Sequence, residues 1–199
     1  MPAISRSFLL DTDDRPLRVF HGTRNAVFDT FKPAIRKHEQ AGFGIHFARD
    51  RDFAERYAFD EHVARAGKHP FVYEAHLAID NLLVANAIYL EDTPGFDLGM
   101  KLAGRHFYAP KDEAGRRGLY LQNAVDATSP QRAARILQEA GYDGMSYLAR
   151  IRVLGVGSAT LVAESESFLV FRPEQVTIVA GPDLVSQPEM STSRRMRMK

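Results

Sequence analysis

The sequence predicts an α+β fold with a core of two small sheets. Short apolar runs that read as strands recur along the chain and are separated by only one or two helices. Composition agrees with a self-folding domain, with 45% hydrophobic and 26% charged residues. A length of 199 residues suits one domain with a sizeable core, or one domain plus a flexible tail. Neither an internal repeat nor a second domain is visible.

Residues 1–16 read as a leader, with Asp11-Thr12-Asp13-Asp14 as a turn and Pro16 as punctuation. The first firm strand covers residues 17–20 and runs into His21-Gly22-Thr23, so that its last side chains are delivered into a polar, glycine-containing turn. Phe28 and Phe31 pin the following loop, and residues 32–40 are basic and polar. Residues 42–47 form a glycine-punctuated turn into a strand. A helix follows over residues 50–58, with Asp50 as N-cap and Phe53, Ala54, Tyr57 and Ala58 on one apolar face. That spacing points Tyr57 back toward the strand.

Residues 71–79 alternate as a strand, ended by Asp80-Asn81. Residues 91–118, with scattered glycines and charges, read as a helix-and-loop insertion. Pro130 in the first turn, an apolar stripe of Ala133, Ala134, Ile136, Leu137 and Ala140, and Gly141 as the stop define a helix. Residues 142–147 turn into another strand. Residues 159–163 and 168–171 are the last two strands, and Pro173 and Gly181-Pro182 close the domain. The domain is expected to span residues 17–183. Residues 184–199, with Arg194, Arg195, Arg197 and Lys199, form a basic tail expected to be disordered.

A formal net charge of +1 shows no global excess that would announce nucleic acid or an acidic membrane as partner. Cysteine is absent, which removes disulfides, thiolate zinc sites and cysteine nucleophiles and leaves the redox compartment unreadable. Residues 1–14 lack a basic region followed by a long apolar core. A soluble protein without a membrane partner is expected, either cytoplasmic or delivered into a target cell by a route that ignores classical signals.

Several familiar motifs are missing. Gly155-Val156-Gly157 lacks the third glycine and the helix of a dinucleotide fingerprint and reads as a hairpin turn. His62, His69 and His76 are too widely spaced for a helical metal site, so no metal is expected, and there is no Gly-x-Ser-x-Gly elbow.

Three stretches form a coherent set: His21-Gly22-Thr23; Gly42-Phe43-Gly44-Ile45-His46-Phe47-Ala48, leading into the helix that carries Tyr57; and Glu164-Ser165-Glu166 before Phe168-Leu169-Val170-Phe171. In that order they resemble the His-Tyr-Glu clade of ADP-ribosyltransferases, which includes diphtheria-type toxins and poly(ADP-ribose) polymerases. The likeness is greatest to small bacterial and phage members found in polyvalent proteins and toxins. It implies a core of two small antiparallel sheets forming an NAD cleft with flanking helices, and NAD as a substrate used without a metal.

By that resemblance, His21 would hydrogen-bond a ribose hydroxyl of NAD, and the Gly22 backbone would hold the nicotinamide carboxamide, a close approach that the missing Cβ permits. The Thr23 hydroxyl would add a contact, and Tyr57 would stack on the nicotinamide ring. Glu166 would accept a hydrogen bond from the ribose 2′-OH and stabilise the positive charge that builds on the sugar as nicotinamide leaves.

Two departures stand out. The family's central tyrosine is His46 here, a smaller ring that can titrate. Counting back from Phe171 without a gap puts Ser167 at the catalytic position, whereas the spacing of other members puts Glu166 there; Glu166 is the reading adopted. Glu164, two residues earlier, is a candidate for activating the acceptor. The resemblance implies a mono-ADP-ribosyltransferase of toxin or effector type acting on a macromolecular acceptor, protein or nucleic acid, with an immunity protein or antitoxin as a further partner. The alternatives are an NAD glycohydrolase and a non-catalytic NAD- or partner-binding module of the same fold.

Overall fold

The structure is a computed structural model that describes residues 7–23, 27–35, 43–59, 70–104, 110–111, 114–154 and 160–185. The basic tail beyond residue 185, the Gly155–Ser158 turn, Gly42, His62 and His69 lie outside these residues.

Ten strands and four α-helices are described: β1 (Val19–Thr23), β2 (Ala34–Ile35), β3 (Phe43–Ala48), α1 (Arg51–Phe59), β4 (Phe71–Leu77), β5 (Leu82–Val84), β6 (Ile88–Leu90), α2 (Pro94–Ala103), β7 (Gly118–Tyr120), α3 (Leu121–Asp126), α4 (Pro130–Glu139), β8 (Gly144–Leu154), β9 (Thr160–Val170) and β10 (Val176–Leu184). The main sheet runs β10-β4-β1-β3-β9-β8-β5, with β2 paired to β3, while β6 and β7 make a separate ribbon. All neighbours are antiparallel except β5 and β8, which are parallel.

The predicted α+β fold is present, and its two-part core takes the form of two halves of one mixed sheet. β10, β4 and β1 form one half, and β3, β9, β8 and β5 the other. β1 pairs with β4 along its whole length, from Val19↔Ala75 to Thr23↔Phe71, but with β3 only at Phe20↔Ala48. Beyond that pair the ladder between β1 and β3 ends, and this parting is the wedge between the two halves.

Because paired residues in antiparallel strands share a face and successive residues alternate, each face of the sheet can be assigned. One face carries Val19, Ile45, Phe47, Tyr73, Phe168 and Val170, covered by Phe31 from the loop before β2. The opposite face carries Met145, Tyr147 and Leu169 under α2, α3 and α4, joined by Phe43 where Gly44 at φ +84° breaks the alternation of β3, and Ala48 and Val72 under Phe53 and Ala54 of α1. Phe28 and Phe31 do pin their loop to the core, their rings packing edge to face 4.9 Å apart.

Local signals account for most boundaries. The α4 helix starts at Pro130 and is followed by Gly141 at φ +87°, a left-handed conformation that glycine adopts without strain. The insertion at 91–118 holds α2, which is capped by the Thr93 hydroxyl accepting from the Phe96 N–H, and the flanking β6–β7 ribbon. Two predicted late strands are one 11-residue strand, β9, because the polar Glu164-Ser165-Glu166 stretch continues the pairing with β8 without a break.

β10 extends past the predicted end of the domain and pairs with β4. It is an edge strand, where Pro182 sacrifices no central ladder bond. Part of the stretch assigned to a leader lies against the sheet: the Leu9 N–H donates to the Leu77 carbonyl (2.8 Å), and Phe8 bridges Ala78.

Gln175 ties the end of β4, the start of β8 and the turn after β9 together. Its Oε1 accepts from the N–H groups of Phe171 (3.2 Å) and Arg172 (3.0 Å), and its Nε2 donates to the carbonyls of Ala78 (3.1 Å) and Asp143 (2.8 Å). The side chain is buried, so replacement by alanine strands the Phe171 N–H and the Ala78 carbonyl away from water. Gln175→Ala is expected to lose about 2–3 kcal/mol of stability, read as a lower urea midpoint with an unchanged slope.

Candidate active site

β1 brings His21, Gly22 and Thr23 to the wedge between the sheet halves. The His21 Nδ1 lies 2.7 Å from the His46 carbonyl across it. A carbonyl only accepts, so Nδ1–H of His21 is the donor, and the imidazole does the bridging that the strands no longer do. The ring is boxed on the first face by Phe31 (centroids 4.9 Å), Phe47 (5.6 Å) and Phe28 (6.4 Å).

Gly22 turns to the opposite face, under α1. A Cβ there would come within 1.9 Å of the Ala54 carbonyl oxygen and 3.2 Å of the Ala58 Cβ. The need for glycine therefore comes from the helix backbone, a reason that the sequence alone did not reveal. Thr23 is buried beside it. On α1, Phe53, Ala54 and Ala58 face the sheet, whereas Tyr57 is 41% exposed, turned further from the strand than the apolar spacing implies.

His46 stands on the α1 face, because it pairs with Leu169, and its Nδ1 lies 2.7 Å from the Tyr147 hydroxyl, with the two rings edge to face at 5.9 Å. Ser167 pairs with both Ala48 and Tyr147, so it shares that face and is buried there.

Glu166 pairs with Leu148 and points to the other face, the face of His21. Its carboxylate accepts from Arg49 Nη1 (2.7 Å), and its carbonyl accepts from the Arg49 N–H (2.8 Å). Both side chains are partly exposed, at 35% and 49%, so the ion pair orients the carboxylate and adds at most about 1 kcal/mol of stability. Glu164 shares that face and receives Arg150 Nε at 2.7 Å.

The predicted residues thus divide between the faces: His21, Glu166 and Glu164 on one, and Gly22, His46 and Ser167 on the other, the side against which α1 packs. Sequence reasoning missed Tyr147, Arg49 and Ser165 as members of this neighbourhood. Ser165 sits inside the Glu164-Ser165-Glu166 stretch and Arg49 directly after the Gly42–Ala48 stretch, but only strand pairing shows what their side chains meet, and it alone brings in Tyr147.

Asp50 has two roles. Its carbonyl accepts the first helical bond, from the Ala54 N–H at 3.2 Å, as an N-cap residue's does, while its carboxylate accepts from the buried Ser165 hydroxyl at 2.8 Å. The next residue, Arg51, reaches Asp183 Oδ2 (2.8 Å) and Glu55 Oε1 (2.9 Å), and hydrogen bonding first to Asp183 and then to Glu55 raises its pKa above the ordinary guanidinium value. These contacts hold the start of α1 to β9 and β10.

An open cavity of about 490 Å³ lies at that helix start, between Arg49, Phe53, Arg56 and Glu164. Among the described residues no three His, Cys, Asp or Glu side chains converge to hold a metal ion, and no helix is long and apolar enough to cross a membrane.

The split α+β sheet is consistent with an ADP-ribosyltransferase-like domain. The family model described as ADP-ribosyltransferase in polyvalent proteins matches residues 11–183, and the chain belongs to that family. Its match begins within the stretch read as a leader, in keeping with the backbone contacts made there. No curated protein matches the chain. ADP-ribosyltransferases use NAD as substrate.

Gly22→Ala tests the contact with α1. The added methyl group must push the helix backbone away, and a loss of about 1–3 kcal/mol is expected in thermal or urea unfolding.

Proposed function

We propose that this chain is a mono-ADP-ribosyltransferase of the His-Tyr-Glu type, which breaks the nicotinamide–ribose bond of NAD and passes ADP-ribose to a macromolecular acceptor, protein or nucleic acid, as a toxin or effector. The observation that carries this reading is the wedge between β1 and β3. There the sheet gives up its pairing after Phe20↔Ala48, and His21 takes the His46 carbonyl instead. The parting puts an imidazole, a glycine backbone and a buried hydroxyl side by side in one short segment.

In this reading His21 binds a ribose hydroxyl, Gly22 the carboxamide and Thr23 a further ligand atom, while His46 and Tyr57 supply flat rings to the nicotinamide. Glu166, held by Arg49, is the fixed anion that favours the cationic ribosyl transition state. Glu164 lies on the acceptor side, beside the cavity at the start of α1.

A second reading is an NAD-binding module without turnover. The sheet faces favour it: Ser167, without a carboxylate, shares the face of His46, while Glu166 points to the other.

Nicotinamide release from NAD by the purified protein, alone and with cell lysate, separates the two. For the transferase, Glu166→Gln is expected to lower release about 10²- to 10³-fold with little change in NAD affinity, and lysate to increase it. Measurable NAD binding with no release under either condition would leave the binding module.

A further inference from the structure

We propose that Tyr147 is a positioning residue for His46, and that the two rings act as one ligand-binding unit in place of the family's central tyrosine. This inference rests on the reading that His46 meets the nicotinamide ring.

The geometry begins with the strands. His46 is on β3 and Tyr147 on β8, with β9 between them. Two strand spacings separate their backbones by about 10 Å. A side chain must cross the middle strand for the two to meet, and the phenol does so: its hydroxyl is 2.7 Å from His46 Nδ1.

What lies under the crossing is Ser167, the residue paired directly with Tyr147 on β9. Directly paired side chains on one face have Cβ atoms about 5 Å apart, and a diagonal neighbour is within reach of a long aromatic. A small side chain at 167 keeps this path open. A glutamate there would compete for the same buried space. The histidine at 46 and the serine at 167 are therefore connected: the serine admits the tyrosine that holds the histidine.

In this proposal the buried Tyr147 hydroxyl is the donor to Nδ1 of a neutral His46 imidazole, an arrangement that leaves the ring proton on Nε2. His46 is also anchored through its backbone, since its carbonyl takes the His21 Nδ1–H. Ring and main chain of one residue are thus held from opposite sides, by Tyr147 and by His21. A ring fixed in plane and tautomer meets a flat ligand ring without first losing rotational freedom.

Histidine-selective ¹⁵N spectra and NAD titrations of the full chain test this. The chain has seven histidines, and the signal absent from His46→Phe assigns the one in question. In the wild type, Nδ1 of His46 is expected to appear as a hydrogen-bonded acceptor with Nε2 protonated. Tyr147→Phe, which keeps the core ring, is expected to shift these signals toward a tautomer mixture and to weaken NAD binding about three- to tenfold. In the His46→Phe background the Tyr147→Phe change should then cost no further affinity, the non-additivity of two residues acting as a unit.

An unchanged His46 spectrum in Tyr147→Phe, or independent and multiplying losses in the double variant, would overturn the proposal. So would altered spectra with unchanged NAD affinity. If Tyr147→Phe does not fold, the wild-type tautomer and the NAD affinity of His46→Phe decide: Nδ1 protonated, or an affinity equal to wild type, overturns it. Wild type that binds no NAD while the spectra behave as expected would instead remove the ligand reading on which the proposal stands.

Discussion

The pair Phe20↔Ala48 is the one ladder pair between β1 and β3, and the rest of the site follows from it. A sheet that stops pairing leaves backbone donors and acceptors that must be satisfied by something else. Here an imidazole takes one of the carbonyls across the gap. That substitution needs a histidine at the residue after the last pair, and a loop of phenylalanines to box its ring. Phe28 and Phe31 supply the box from a segment with almost no regular structure of its own.

The same parting explains why α1 can come so near. With glycine at 22 the helix backbone at Ala54 settles directly on β1. The helix start is held by polar contacts, Asp50 to Ser165 and Arg51 to Asp183 and Glu55, while its middle is held by Phe53, Ala54 and Ala58. Exposed ion pairs add little to stability individually. Buried hydrogen bonds such as that of Ser165 weigh more, because an unmet buried partner costs about 1–3 kcal/mol. The apolar contacts therefore hold α1 down, and the polar ones fix where it begins.

Side-chain amides do comparable work elsewhere. Gln122 reads both polar groups of Leu148, its Nε2 donating to the carbonyl (2.9 Å) and its Oε1 accepting from the N–H (3.0 Å), and so continues the edge of β8 beyond its pairing with β5. Leu148 is the residue opposite Glu166. The strand that carries the acidic pair is thus backed by a neighbour whose own edge is satisfied by a side chain.

Local chemistry made much of the chain legible. The strand running into His21-Gly22-Thr23, the apolar stripe of α4, the proline that begins it and the Gly141 that follows it depend on neighbours a few residues away, and periodicity and turn chemistry reveal them. The family, too, was readable, since three short motifs kept their order. β10 was not, because an exposed edge strand has no continuous apolar face and contains Gly181-Pro182. The single long β9 was hidden for a similar reason: its polar middle, Glu164 to Ser167, is stabilised by pairing with β8. In the site, the sequence by itself determined which residue types are present and which are near one another along the chain. Only the tertiary structure decided that Glu166 takes the face of His21 and Ser167 the face of α1, that Gly22 serves the helix above it, and that Tyr147 reaches His46. Faces depend on the register between strands far apart in sequence, and no local pattern encodes that register.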